Sequence, residues 1–299
     1  MKTNLDHLPE QKQRELTHVV RVLFEEFSHR IAGATQPWKT RGRVLRVILY
    51  GSYARGDWVD DPVGGYRSDY DLLVIVNDER LTDVVEYWST ADDRLMREMT
   101  IYETLSAPVS FIVHSLDDVN GQLSRGRPFF RDIVEQGVTL YEAEGIGLAN
   151  PRKLPPAEAR AEAQAHFQRL FSRGSEFLAQ AAFAAANARQ NIAAFEYHQS
   201  TEQFYHCTML VLTLYSPKSH KLNFLRGHAE DIAPELTEAW PREDKFSRRC
   251  FELLRLAYVN ARYSQQFSVT GEELAWIAER VLVLQKLVKT VCERRLSET

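Results

Sequence analysis

Two residue groups in the first quarter of the chain have the types and spacing needed to handle a phosphate and a metal ion. Gly51-Ser52 follows the apolar run VLRVILY (44–50), and Asp69-Tyr70-Asp71 opens a second run, DLLVIV (71–76). Alternate side chains of an extended strand point to one face, so Asp69 and Asp71 project together. Two hard oxygen ligands on one rigid edge suit Mg²⁺, which takes one or two carboxylates and leaves its other positions to water and phosphate. Gly51 lets backbone approach a phosphate closely, and Ser52 can offer its hydroxyl and amide to the same anion where a helix begins. Arg55, one turn further, can add a charge-assisted bond to a triphosphate. Each feature alone is an ordinary turn or strand start. Strand, Gly-Ser, helix, strand and Asp-x-Asp in one short stretch is a specific arrangement.

These residues need a scaffold, and the surrounding pattern predicts one. Leu16, Val19, Val20, Leu23, Phe24, Phe27 and Ile31 recur at helical spacing. The β-branched runs at 44–50, 71–76 and 108–114 read as strands, with a helix over 80–100 between the last two. Residues 1–147 are therefore expected to form an α+β domain, a mixed sheet with flanking helices. The stretch EAEGIGLANPRKLPPAEA, with its glycines and prolines, reads as a linker. Helical patterns over 157–186 and 190–215, a third carrying Phe246 to Ala261, and a last from Leu274 to Val291 make residues 155–299 an all-α bundle.

Composition excludes several classes. With 299 residues the chain exceeds the ~250 at which single cores stop growing. A net charge of −4 argues against wholesale coating of nucleic acid. The basic run Lys39, Arg41, Arg43 and Arg46 reads as solvated surface. Cys207, Cys250 and Cys292 lack metal-site spacing and fall in apolar helical patterns, which predicts buried thiols. The polar N-terminal segment lacks the apolar core of a signal peptide, and no apolar run approaches the ~20 residues of a membrane span. The expected location is the cytoplasm.

The stretch VILYGSYARGDWVDDPVGGYRSDYDLLVIV resembles the Gly-Ser … Asp-x-Asp signature of polymerase-β-like nucleotidyltransferases, especially the minimal type. The resemblance implies that Gly51 and Ser52 hold nucleotide phosphates, with Arg55 beside them. Asp69 and Asp71 would hold Mg²⁺, a two-metal site being possible in the family. The 16 residues between Ser52 and Asp69 exceed the gap of the smallest members, which fits a loop inserted at DDPVGG. The family commonly supplies a third carboxylate from a neighbouring strand. Here that strand is PVSFIVH, whose faces carry Ser110, Ile112 and His114, or Val109, Phe111 and Val113. Glu103 precedes it and Asp117 and Asp118 follow it, so they are poor substitutes. His114 has the chemistry of a base, although a structural role is the commoner one for such a histidine.

In the second half, AFEYHQSTEQFYHCTMLVLTLYSPKSHKLNFL resembles helices of HEPN domains, through His198-Gln199…Glu202 and Pro217…His220-x-Leu222, and AYVNARYSQQF also fits. Active HEPN ribonucleases use an Arg-x4–6-His motif. Arg262 is followed by Phe267 at the four-residue gap, and no histidine follows Arg262. Val269 stands where related toxins carry a tyrosine that receives AMP, so self-AMPylation is not implied. His198, His206 and His220 read as core or capping residues, since the first two are too far apart to hold a metal without a third ligand. Phe195, Phe204, Tyr205 and Tyr215 read as bundle core.

The resemblance implies Mg²⁺-dependent transfer of a nucleoside monophosphate, with ATP the default donor, to a protein tyrosine, an RNA end or a small molecule. The missing acid and histidine keep a second expectation open, a non-catalytic nucleotide-binding or toxin–antitoxin regulatory protein with a degenerate HEPN ribonuclease domain. Bundles of this kind commonly pair, and Leu253, Leu256, Val281 and Leu284 exceed what one interior requires, so a homodimer through the helical half is expected.

Overall fold

The computed structural model of the chain describes all residues except 62–65, 265 and 299. It comprises two compact units, Met1–Leu154 and Pro155–Thr299.

The first unit is built on a four-stranded sheet. Helix α1 (Glu10–Ile31) opens it, and its buried stripe Leu16, Val19, Val22, Leu23 and Phe27 follows the helical period. A single turn, α2 (Pro37–Thr40), leads to β1 (Val44–Tyr50), which runs straight into the short α3 (Gly51–Arg55). Strands β2 (Asp60–Asp61) and β3 (Tyr66–Arg67) pair as a small antiparallel hairpin before β4 (Tyr70–Val76). Part of the loop expected at 60–65 thus becomes β2, and 62–65 lie outside the described residues. After β4 the predicted single helix is divided into a 3₁₀ turn (Glu79–Thr82), a π-helical turn (Val84–Trp88) and α4 (Ser89–Thr100). Asp78 and Asp83 cause the breaks, because their carboxylates accept the amides of Arg80 and Glu86 and start new turns. The remaining elements are β5 (Val109–Ser115), α5 (Leu116–Ser124), α6 (Pro128–Gln136) and β6 (Val138–Glu142).

The strand order is β5-β4-β1-β6; β4 and β5 run parallel, and the other neighbours are antiparallel. β1 and β4 are buried along their whole length, which is why they read as unbroken apolar runs. Val47, Leu49, Tyr70, Leu72, Val74, Phe111 and Val113 join α1 and Trp88 in the main core. Ile48, Leu73, Ile75 and Ile112 alternate with them, so they face the side where α5 and α6 pack. Within the basic run, Arg41 and Arg43 are exposed, as expected for solvated surface. Arg46 departs from that expectation. It lies within central β1, is buried, pairs with Glu142 and donates to the Ile146 carbonyl at 3.0 Å.

The second unit is helical: α7 (Pro156–Ala186), α8 (Gln190–Thr213), α9 (Leu222–Ile232), a 3₁₀ segment (Pro234–Ala239), α10 (Lys245–Tyr263) and α11 (Gly271–Ser297). α8 lies at the centre, packed on the other four helices. Gly174 of α7 admits Phe204, since a Cβ there would come within 2.7 Å of the ring. The Ser200 hydroxyl donates to the Gly174 carbonyl across the same contact, at 2.8 Å. Phe204 and Tyr205 are core residues, whereas Phe195 and Tyr215 are half-buried. The three cysteines are buried free thiols. Among the described residues no helix is long and apolar enough to cross a membrane.

Candidate active site

The candidate site forms where β1 ends beside the start of β4. Tyr50 pairs with Asp71 in the ladder, so the Gly51-Ser52 turn lies against that carboxylate. Gly51 has φ +72°, and a Cβ there would overlap Asp71 Oδ2. Backbone freedom and lack of a side chain are both needed at this position. Ser52, next along, is buried, and its hydroxyl has no hydrogen-bond partner among the described residues. A buried hydroxyl left in this state is a feature that bound ligands often complete.

Asp69, just before β4, and Asp71, at its start, share one face, and Tyr70 between them turns to the other face, into the main core. Asp71 is only 2% exposed, whereas Asp69 is half-buried. The neighbouring strand supplies Ser110, the register partner of Asp71, and its hydroxyl donates to Asp69 Oδ2 at 2.8 Å. A serine therefore occupies the place where a third acid was sought. Among the described residues no group of three or more His, Cys, Asp or Glu side chains can hold a metal ion. Two carboxylates still fit Mg²⁺, which completes its shell with water and phosphate oxygen.

Two further candidates have partners of their own. Arg55 is on the surface and donates through Nε to Asp57 at 3.1 Å. His114 is four residues beyond Ser110 on β5, roughly 13 Å along the strand. It donates to Asp118 at 2.6 Å and meets Phe130 edge-on, the structural role that was favoured for it. The His114 bond holds the Asp118 carboxyl below its usual range, against the opposing effect of burial.

Residues 35–144 match the family described as Polymerase beta, Nucleotidyltransferase, and residues 167–293 match the HEPN domain. A protein of Methanocaldococcus jannaschii named "Putative protein adenylyltransferase MJ0604" is 31% identical over 103 residues, 34% of this chain and 84% of that protein. This chain belongs to the polymerase-β nucleotidyltransferase family. A HEPN region follows its nucleotidyltransferase domain.

In the HEPN region three histidines surround one buried acid. Glu202 of α8 has His198 and His206 one turn away on either side, with Nε2 atoms 3.7 and 3.9 Å from its oxygens. His220, its side chain 60% exposed, donates to Glu202 from Nδ1 at 3.0 Å. His198 is anchored by a bond to the Leu254 carbonyl at 3.0 Å, and His206 is hydrogen-bonded to Ser216 at 2.6 Å. Burial pushes the Glu202 carboxyl upward, but His198 and His220 outweigh it and hold it below the usual range. His198 is thus a core residue, while His206 and His220 tie the loop before α9 to α8.

Sequence reasoning missed two kinds of residue near the nucleotidyltransferase site. Ser110 appeared only as a position without an acid, although strand register marks it as the residue beside Asp71. Lys12 and Glu15 on α1 gave no sequence signal. Their partners Tyr53, Tyr70 and Ser106 are far away in the chain.

Proposed function

We propose that the protein transfers a nucleoside monophosphate, AMP from ATP, to an acceptor hydroxyl in a Mg²⁺-dependent reaction. The junction at which Gly51 leaves no room for a side chain against Asp71, beside the buried Ser52 hydroxyl, carries this reading. The backbone of Gly51 admits the triphosphate, and the Ser52 hydroxyl and amide donate to it. Arg55 exchanges its Asp57 contact for the phosphates. Asp69 and Asp71 would hold the metal ion, which would neutralise charge on the transferring phosphoryl group and so make pyrophosphate a better leaving group. Ser110 restrains Asp69 in the orientation seen. The acceptor oxygen forms the new bond to phosphorus as the bond to pyrophosphate breaks, its hydroxyl proton passing to solvent water, and positioning carries much of the rate.

The name of the M. jannaschii relative supports adenylyl transfer and makes a protein hydroxyl the first acceptor to test, ahead of an RNA end or a small molecule. Labelled ATP with Mg²⁺ and a panel of such acceptors is the experiment. Asp69→Asn or Asp71→Asn is expected to lower transfer at least ~100-fold, and undiminished transfer in either variant would sink the site assignment.

Ser110 in place of a third acid, together with the lack of histidine after Arg262, favours a second reading: a nucleotide-binding or toxin–antitoxin regulatory protein without catalysis. Calorimetry separates the two, because ATP binding with no pyrophosphate release across the panel selects the second. In either reading we place the protein in the cytoplasm, with residues 1–147 and 155–299 as separately folding domains that pair through the helical one.

A further inference from the structure

Beneath the site, on the opposite face of the sheet, two buried charged residues of α1 join both of its halves. Glu15 is 6% exposed and accepts from the Tyr70 hydroxyl at 2.9 Å, the Ser106 amide at 3.0 Å, the Ser106 hydroxyl at 2.8 Å and Gln11 at 2.9 Å. Lys12, also 6% exposed, donates to the Ser106 hydroxyl at 2.6 Å. Its ammonium lies 5.5 Å from the ring centres of Tyr53 and Trp58, and 5.6 Å from that of Tyr70. Tyr53 and Trp58 stack at 5.1 Å, and Tyr53 meets Tyr70 at 4.5 Å. Tyr53 directly follows Ser52, and Tyr70 separates Asp69 from Asp71. Two of the three aromatic residues around the α1 pair are therefore the backbone neighbours of the candidate site's groups.

Two buried opposite charges bridged by the Ser106 hydroxyl are a poor choice if stability is all that is needed, because apolar residues of the same shape commonly do as well or better. What such a pair offers is direction. Hydrogen bonds to a fixed carboxylate, and a cation among three rings, orient groups that apolar contacts would leave free to slide. Burial lowers the Lys12 pKa against the opposing pull of Glu15 and Asp60. Burial pushes Glu15 upward, but the Ser106, Tyr70 and Gln11 bonds prevail and hold it low. Both shifts agree with a desolvated pair held by specific partners.

We propose that Lys12 and Glu15 are positioning residues: acting through Tyr53 and Tyr70, they hold the Gly51-Ser52 turn and the Asp69/Asp71 edge in fixed relation. The catalytic consequence rests on the nucleotidyltransferase reading; the structural one does not. The test uses the full chain with Glu15→Gln, Tyr70→Phe, Lys12→Met and Lys12→Arg. Amide exchange of residues 51–54 and 69–72 is expected to rise roughly tenfold in the first three variants, while that of Phe130–Glu142 stays at the wild-type rate. kcat is expected to fall roughly tenfold with the KM for ATP within about twofold, and Lys12→Arg to restore much of the loss. Tyr70→Phe removes only one hydroxyl, so it carries the comparison if Glu15→Gln fails to fold. Wild-type exchange in both site segments overturns the proposal, and so does a uniform rise over the whole domain. If the wild-type protein transfers nothing, the nucleotidyltransferase reading fails, and the exchange comparison still decides the role of Lys12 and Glu15.

Discussion

At the scale of single residues the proposed site depends on space as much as on charge. Gly51 and Gly33 both have φ +72°, but Gly33 has nothing within 4 Å of an added Cβ, whereas Gly51 would drive one into Asp71. Alanine at either position carries the strain of a left-handed backbone, about 1–3 kcal/mol. Only Gly51→Ala also displaces a site carboxylate. Chemical denaturation is therefore expected to show losses in that range for both variants, with nucleotidyl transfer abolished in Gly51→Ala and retained in Gly33→Ala. Retained transfer in Gly51→Ala would place the phosphate elsewhere. Gly51, Ser52, Asp69 and Asp71 were legible in the sequence because two short strands bring them together within one local stretch. Glu15 was not legible, because its bond to Tyr70 spans 55 residues and depends on how α1 lies on the sheet.

At the scale of elements, the long apolar runs were readable and the short mixed segments were not. α1 announces itself by its period and β1 and β4 by unbroken apolar runs, whereas α5, α6 and β6 are too short for either signal. α9 is hidden for a different reason, since its inward face is partly polar. Arg226 and His228 are buried in it, and Glu230 binds Arg226 at 2.6 Å and Arg242 at 2.5 Å. That composition gives the helical unit an acid weakness. Burial pushes the His228 imidazole down from its ordinary 6.5 to about 4. Above pH 6.5 it is neutral whether the chain is folded or unfolded. Between 6.5 and 4 the unfolded chain takes up a proton that the folded one refuses, so stability falls with pH by up to about 3 kcal/mol. His206, also lowered by burial, acts in the same direction. Glu202, held below the carboxylate range, adds a loss at more acid pH. Urea unfolding at pH 7 and pH 4.5 is expected to show this drop, and His228→Gln to flatten it. An equal drop in His228→Gln would assign the acid sensitivity to other groups.

At the scale of the whole molecule, each unit encloses its own apolar interior, and residues 143–155 between them contain neither helix nor strand. Its glycines and prolines suggest a linker, but they do not reveal the bonds that hold parts of it. The Ala149 amide donates to Asn120 at 2.7 Å and the Arg152 amide to the Leu123 carbonyl at 3.0 Å. Arg152 and Lys153 remain exposed, whereas other basic residues are largely on helices that resist a protease. Limited trypsin digestion is thus expected to cut first after Arg152 or Lys153 and to leave two folded fragments. A first cut inside a helix of the second unit, such as after the exposed Arg173 of α7, would overturn the division. The same digest tests the proposed pairing. Of the apolar residues that suggested it, Val281 and Leu284 are buried within their own unit, and Leu253 and Leu256 are half-buried. The surface instead presents Val259 and Tyr263 on α10, Ile192 on α8 and Leu282 on α11. An interface must bury such side chains to outweigh the entropy lost on association. Light scattering on the C-terminal fragment is expected to give twice the mass of one fragment, and Val259→Asp with Tyr263→Asp to halve it. A well-folded fragment of single-chain mass would remove the homodimer and leave these side chains as scattered surface residues.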